Sequence, residues 1–325
     1  MKWPRIGIIG AGDLATRRIY PYIGAAGGML VAVCDIDEEK AKANAERFGA
    51  RAVYTDFKKM LLNEKLDGVI VCIGPEMHAS MAPQIMKAGI SVYTEKPPGT
   101  TAADVKKVVE VSRETGVLCM TAFKKRYARC YQRAKKFIES PEFGEKELLS
   151  VDYASGPYSN ESPRWFFLLD FALHIIDLTR FLFGEVSEVY ALSRQDHSFA
   201  VTLHFGDGAL GNLSFTDKRS WSIPTEEVEI TGSNGSFITI HNSSSYKLYE
   251  KGQPIEFYEP CLSTSAGDSG IETGHLVELQ IFFRALAGEE RPVSTIEESY
   301  KSMVLYEAIL NSARTGQAIK LDHEL

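Results

Sequence analysis

Arg5-Ile6-Gly7-Ile8-Ile9-Gly10-Ala11-Gly12-Asp13-Leu14-Ala15 is the stretch on which the fold turns. Arg5 to Gly10 reads as a β-branched apolar strand, the glycines as a tight turn, and the residues through Tyr20 as a helix. A second apolar strand, Met29 to Cys34, ends at Asp35, about twenty residues beyond Ala15, where a dinucleotide-binding fold places its ribose-binding acid. Gly10 permits the turn, Gly12 lets backbone approach a pyrophosphate, and a small residue at position 15 allows close helix packing. The phosphate then meets free N–H groups at a helix start, in the turn that includes Asp13 and Leu14. A carboxylate at position 35 accepts hydrogen bonds from a ribose 2′-hydroxyl and repels a 2′-phosphate. Neither lysine nor arginine stands immediately beside it, so NAD is expected rather than NADP.

The alternation continues outward. Helix Glu38–Phe48, a short helix Asp56–Leu62, the continuously apolar strand Gly68–Ile73, helix Ala79–Ala88, strand Ile90–Thr94, helix Ala102–Glu114 and strand Val117–Thr121 extend a doubly wound parallel sheet. A first domain over residues 1–122 follows. The remainder, 123–325, reads differently: a basic helix around Lys125–Ile138, then strands Leu148–Ala154, Glu188–Arg194, Phe199–Phe205, Ala209–Phe215, Glu227–Thr231 and Phe237–His241. Gly206-Asp207-Gly208 and Asn234-Gly235 suit hairpin turns, because these residues accept positive φ. The fold class is therefore α/β, an N-terminal Rossmann sheet plus a C-terminal α/β domain with an open, mostly antiparallel sheet. Two helices, His275–Leu286 and Thr295–Ala313, and a short strand close the chain, and these helices are expected to be able to pack back on the first domain.

Composition bounds the function. The 325 residues are 44% hydrophobic and 24% charged with a formal net charge of -7, which offers no general field for nucleic acid. Cys34, Cys72, Cys119, Cys130 and Cys261 are scattered with neither zinc nor redox spacing, and read as reduced, packing thiols. The opening Met1-Lys2-Trp3-Pro4-Arg5 and the short apolar run behind it fit neither a signal peptide nor a membrane span. A cytoplasmic location is expected, with no membrane partner.

Two further segments carry chemistry. Glu95-Lys96-Pro97 follows a parallel strand directly, a placement that sets Lys96 apart from an ordinary solvated lysine. Far downstream, Asp170-Phe171-Ala172-Leu173-His174-Ile175-Ile176-Asp177 puts ionisable residues at i, i+4 and i+7 of a mostly apolar helix, one polar stripe. Buried carboxylates need partners, so the stripe is expected to face a cleft. Zinc held by Asp170, His174 and Asp177 is the rival reading, and it lacks a further cluster of ligands, so no metal is expected. Asp177 suits a structural role at least as well. The other histidines, His197, His204, His241, His275 and His323, have no partner motif.

Taken together, Gly10-Ala11-Gly12 with Asp35, Glu95-Lys96-Pro97, Phe123-Lys124-Lys125-Arg126-Tyr127, Asp170 to Asp177 and Glu229-Ile230-Thr231-Gly232-Ser233-Asn234-Gly235-Ser236 resemble one family. It is the glucose-fructose oxidoreductase, inositol dehydrogenase and rhizopine-catabolism group of NAD(P)-dependent oxidoreductases, and the similarity covers nearly the whole chain. The resemblance implies hydride exchange between a nicotinamide and a secondary alcohol or ketone of a sugar, polyol or sugar derivative, at a site between the domains. It also implies a homodimer or homotetramer formed through the C-terminal sheet. Lys96, Asp170 and His174 take the family's places around the reacting oxygen. Ile73, His78, Glu95 and Lys96 border the cofactor, and Arg126 approaches the nicotinamide or substrate. Tyr153, Tyr158, Asn160 and Trp165, leading into the Asp170 helix, are expected substrate contacts.

A lysine in water titrates near pH ~10.4, so a lysine base near neutrality needs burial or a positive neighbour such as the nicotinamide ring. His174 is the other candidate for the proton, and the choice stays open. One departure from the family stands out: Trp165-Phe166-Phe167 and Ala172 replace its usual glycines beside the Asp and His. Bulky aromatics there are expected to reshape the pocket and change substrate choice. The alternative from another class is a non-catalytic NAD-binding sensor or scaffold, which needs the fingerprint but not the proton machinery.

Overall fold

The computed structural model describes residues 3–223, 225–260 and 270–322, and the chain divides into two units. One holds the chain as far as Lys124 and takes back Gly274–Tyr300; the other holds Lys125–Thr273 and Lys301–Leu325.

In the first unit β1 (Arg5–Ile9) lies between β2 (Met29–Cys34) and β4 (Gly68–Val71), parallel to both. With β3 (Ala52–Tyr54), β5 (Ser91–Thr94) and β6 (Cys119–Thr121), the order is β3-β2-β1-β4-β5-β6, all parallel. That is the doubly wound nucleotide-binding order. The strands read as nearly unbroken apolar runs because helices cover both faces, and Ile6, Ile8, Val33, Val69, Ile70 and Val92 are wholly buried.

The first helix is shorter than its sequence suggests. Helix α1 (Asp13–Arg18) stops, and Pro21 sits in the first turn of α2 (Tyr20–Ala25), where a missing N–H costs nothing. Helix α3 (Glu38–Phe48) is capped by Asp37, which accepts from Lys40 N–H, and closes on Gly49 in the left-handed region. Helices α4 (Phe57–Asn63), α5 (Pro75–Lys87) and α6 (Ala102–Thr115) complete the crossovers. Helix α9 (His275–Leu286) belongs to this unit, and glycines make room for it. A Cβ at Gly28 would lie 2.5 Å from the Phe283 ring, and one at Gly68 would lie 2.9 Å from Leu286 Cδ1.

The second unit is built on a nine-stranded sheet, ordered β14-β13-β12-β11-β7-β10-β9-β8-β15. Central β7 (Lys146–Ala154) is parallel to β10 (Leu210–Thr216), and every other pairing is antiparallel: β8 (Val186–Arg194), β9 (Ser198–Phe205), β11 (Thr225–Gly232), β12 (Phe237–His241) and β15 (Ile319–Lys320). Strands β13 (Ser245–Glu250) and β14 (Gln253–Tyr258) carry the sheet past the strands expected from sequence, with Tyr246 and Leu248 turned inward. Alternation sorts the faces: Val201, Leu203, Leu213, Phe215, Val228 and Ile230 are buried, while Thr202, Asn212 and Ser214 are exposed. Asn234 and Gly235 have φ of 66° and 71°, as the β11–β12 turn requires.

Helix α7 (Arg129–Ile138) packs on α8 (Leu173–Phe183), which lies against β7. The basic segment before α7 is a 3₁₀ turn over Lys124–Tyr127. Lys125 is buried rather than solvated: its ammonium pairs with the Glu226 carboxylate, donates to Ser243 Oγ at 2.8 Å and lies over the rings of Tyr131 and Tyr153. Despite the cost of burial, Lys125 holds the Glu226 carboxyl below its usual range. Cys34, Cys72, Cys119 and Cys130 are free and buried, and burial pushes the Cys34 thiol up to about 12. Cys261 and His323 lie outside the described residues. Among the described residues, no helix is long and apolar enough to cross a membrane.

Candidate functional site

The glycine turn is closed on one side and open on the other. Gly10 has φ of +111°, and a Cβ there would stand 2.1 Å from the Cys72 carbonyl oxygen, so only glycine fits. A Cβ on Gly12 would meet nothing within 4 Å. That open side is where a pyrophosphate would approach the backbone, so the turn fits a dinucleotide. Asp35 closes against it: Ala11 N–H donates to Oδ2 at 2.6 Å and Asp37 N–H to Oδ1 at 2.9 Å. Buried Asn44 braces the turn from α3, accepting from Thr16 Oγ1 at 3.0 Å and donating to the Ala11 carbonyl at 3.4 Å. Asp13 and Leu14 are exposed on α1, where Asp13 makes an (i, i+4) pair with Arg17.

Glu95, Lys96 and Pro97 stand immediately past the carboxyl end of β5, where doubly wound sheets take their ligands. Glu95 is buried, its N–H bonded to the Val71 carbonyl, and Lys96 N–H donates to Glu95 Oε2 at 3.1 Å. The Lys96-Pro97 peptide is cis. Wholly buried His78 donates from Nδ1 to the Pro97 carbonyl at 2.7 Å and accepts at Nε2 from Ile73 N–H at 3.3 Å. These partners fix its tautomer, and burial, aided by the nearby Lys96 charge, pushes the imidazole down to about 4. His78 and Ile73 are thus tied to one another and to the lysine's turn. Beneath the same strand end lies Glu278 of α9, wholly buried near Tyr93 and Glu95. Burial first, and the Glu95 charge second, hold its carboxyl well above the usual range. Sequence reading passed over Glu278 because nothing local distinguishes it from a surface acid on a helix.

In the second unit the helix bearing the acid and the imidazole begins with a π turn over Leu168–Ala172, and α8 continues from Leu173. Such turns are rare and concentrate at functional sites. Along the expected stripe, Asp170 and Asp177 hold different side chains. Asp177 is wholly buried and holds Arg126 through two bonds of 2.8 Å, with Ser302 Oγ donating to it at 2.8 Å. Arg126 is only 2% exposed, and its guanidinium lies over the Phe181 ring. The structure therefore brings Arg126 to Asp177. His174 is buried on α8, and Asp170 is half-buried and accepts a 2.7 Å hydrogen bond from Tyr158 Oη.

Around Asp170 the side chains are aromatic. Phe171 stacks on Tyr153 with centroids 4.2 Å apart, and Tyr158, Phe167 and Trp221 close on it. Phe167 is wholly buried, whereas Trp165 is 54% exposed and packs against Arg164. Asn160 is tied into its loop: its Oδ1 accepts from Phe167 N–H at 2.8 Å and its Nδ2 donates to the Asp196 carbonyl at 3.0 Å. His197 and Asp217, which sequence reading left without roles, form a pair at 2.7 Å. Trp221 was missed as well, since only folding brings it to Tyr158 and Phe171. Among the described residues no three His, Cys, Asp or Glu side chains gather as a metal site requires.

Residues 4–123 match the oxidoreductase family's NAD-binding Rossmann fold, and residues 135–321 match its C-terminal alpha/beta domain. Myo-inositol 2-dehydrogenase of Thermotoga maritima is 24% identical, covering 98% of each chain. D-apiose dehydrogenase of Paraburkholderia graminis is 25% identical over 97% of this chain and 88% of its own. Among solved structures, an oxidoreductase from Agrobacterium radiobacter in complex with NAD+, L-tartaric acid and magnesium superposes with a TM-score of 0.86 at 18% identity, covering 98% of each chain. Two family domains in the expected order, matched over most of the sequence, place this chain in the glucose-fructose oxidoreductase, inositol dehydrogenase and rhizopine-catabolism family of NAD-binding oxidoreductases.

Proposed function

We propose that this protein is an NAD-dependent dehydrogenase or reductase acting on a secondary alcohol or ketone of a sugar, polyol or sugar derivative. The observation that carries the reading is Lys96, set past the end of β5 by Glu95 and by the His78 bond to Pro97, at the edge where a Rossmann sheet takes its nucleotide. The nicotinamide, when bound, supplies hydride exchange. The chain must manage the proton that leaves or returns to the substrate oxygen.

Lys96, Asp170 and His174 are the groups to which we assign that proton, with Lys96 and His174 both able to act as acid or base and Asp170 orienting the hydroxyl. Asp35, at the glycine turn, favours a free ribose 2′-hydroxyl and hence NAD over NADP. Phe171, Tyr158 and Trp221 supply an aromatic wall on which the apolar face of a sugar ring can lie. Arg126 and Asn160 are read as scaffold. A homodimer or homotetramer formed through the outer face of the C-terminal sheet belongs to the same reading, as does a cytoplasmic location, which suits four reduced, buried cysteines.

The test is a screen of NAD and NADP turnover against sugars and polyols, followed by Lys96→Ala on any substrate found. We expect turnover to fall by about 10²–10⁴-fold with NAD affinity nearly unchanged. NAD binding without turnover of any substrate, or indifference to Lys96→Ala, would favour a sensor or scaffold instead.

A further inference from the structure

The loop between β7 and the π turn carries a hydroxyl that the proton chemistry above does not use. Tyr158 is partly buried, and its Oη donates to Asp170 Oδ2 at 2.7 Å. Its backbone is held independently of its ring, by Tyr158 N–H donating to Asp217 Oδ2 at 3.0 Å. Asp217 is wholly buried and in turn bonded to His197 Nδ1 at 2.7 Å. The ring is held again from its sides by Phe167, Phe171 and Trp221, with centroids 5.7, 6.4 and 5.5 Å away. Trp221 itself lies so close over Gly156 that a Cβ there would stand 2.2 Å from the indole. A phenol fixed at both ends loses little freedom when it bonds, so its hydrogen bond is aimed in advance.

We infer that Tyr158 is a positioning residue of the reaction: its hydroxyl fixes the Asp170 carboxylate in its ionised form and in one orientation, and the Asp217–His197 pair aims the hydroxyl. A donor to the charged form of a carboxylate favours that form, and the neutral phenol adds no charge of its own. Burial, with the Asp170 charge beside it, keeps the phenol from ionising, so it stays a donor throughout the working pH range. The inference rests on the oxidoreductase reading for its function but not for its hydrogen bond, and the two can fail separately.

The decisive variant is Tyr158→Phe, which removes one oxygen and leaves the ring contacts and the backbone anchor in place. The Asp170 carboxyl carbon, observed by NMR after 13C labelling of aspartate and assigned with Asp170→Asn, is expected to titrate about one pH unit higher in Tyr158→Phe, the scale of one lost charge-assisted hydrogen bond. Trp221→Phe, which disturbs packing but not the hydroxyl, should leave that midpoint in place. On an active substrate, Tyr158→Phe should lower kcat/KM about tenfold and carry the acid limb of the pH profile upward, whereas a purely structural tyrosine would lower activity equally at every pH. An unmoved midpoint overturns the inference, as does a midpoint that moves equally in Trp221→Phe. A moved midpoint in a protein that turns over no sugar or polyol retains Tyr158's hold on Asp170 and overturns the oxidoreductase reading alone.

Discussion

His78 shows how a single side chain can set a site without touching chemistry. It spans from Ile73 N–H to the Pro97 carbonyl, and accepting from Ile73 N–H requires a neutral ring. In the unfolded chain histidine titrates near pH ~6.5, whereas the buried imidazole titrates at about 4. Between those values the unfolded chain binds a proton that the folded chain refuses, so stability is lost as pH falls through that window. From pH 7.5 to pH 5 the loss amounts to about 2 kcal/mol, and His78→Gln, which cannot titrate, should abolish that part of the slope. Urea unfolding of both proteins at the two pH values measures it; equal slopes would mean the ring already charges when folded. At this scale the sequence is legible where function is written in neighbours along the chain, as in Glu95-Lys96-Pro97. It is silent where partners meet only through folding: Asp217 and His197 are twenty residues apart at the ends of different strands. Trp221 reaches Phe171 from another loop again.

Among elements, α8 and the turn before it carry the largest difference between pattern and structure. An i, i+4, i+7 spacing assumes α geometry throughout, but Leu168–Ala172 is wound as a π turn, which no hydrophobic period announces. Asp177 is then committed to Arg126 inside the unit, and Lys125 beside it to Glu226, so the two basic residues that open this segment are buried in ion pairs. Removing one member of a buried pair strands the other's charge. Asp177→Ala should therefore cost about 3–5 kcal/mol in urea unfolding, and Arg126→Ala a similar amount, with the double variant less damaging than their sum. A loss below about 1 kcal/mol for Arg126→Ala, accompanied by a large rise in KM, would return Arg126 to the substrate. The long helices and the parallel strands were readable because burial on one or both faces writes a period into them. Short β3, and the outlying strands β13 and β14 with only Tyr246 and Leu248 turned inward, leave too little period to read.

For the whole molecule, the sheet of the second unit has consequences beyond its own fold. Its outer face presents Tyr190 and Leu192 of β8, 40% and 55% exposed, next to Ala200 and Thr202 of β9. Asn212 and Ser214 of β10 continue the face, paired with Thr202 and Ala200. These side chains are small, uncharged or apolar over three adjacent strands, whereas the exposed face of a sheet that stays in water ordinarily carries charge. Glu188 and Arg194 of β8 and Asp152 of β7 border this patch on the same face, and we propose a second copy of the face as its partner, since a two-fold contact pairs the patch with itself. Light scattering coupled to gel filtration should therefore give a mass of at least two chains for the wild type. Tyr190→Glu combined with Leu192→Lys places charges where the face would be dry and should shift that mass to one chain, while near-UV and far-UV circular dichroism stay unchanged because neither side chain enters the core. A wild type that runs as a single chain at micromolar concentration would sink the sheet-face assembly outright. A variant that remains an oligomer would move the interface to another surface.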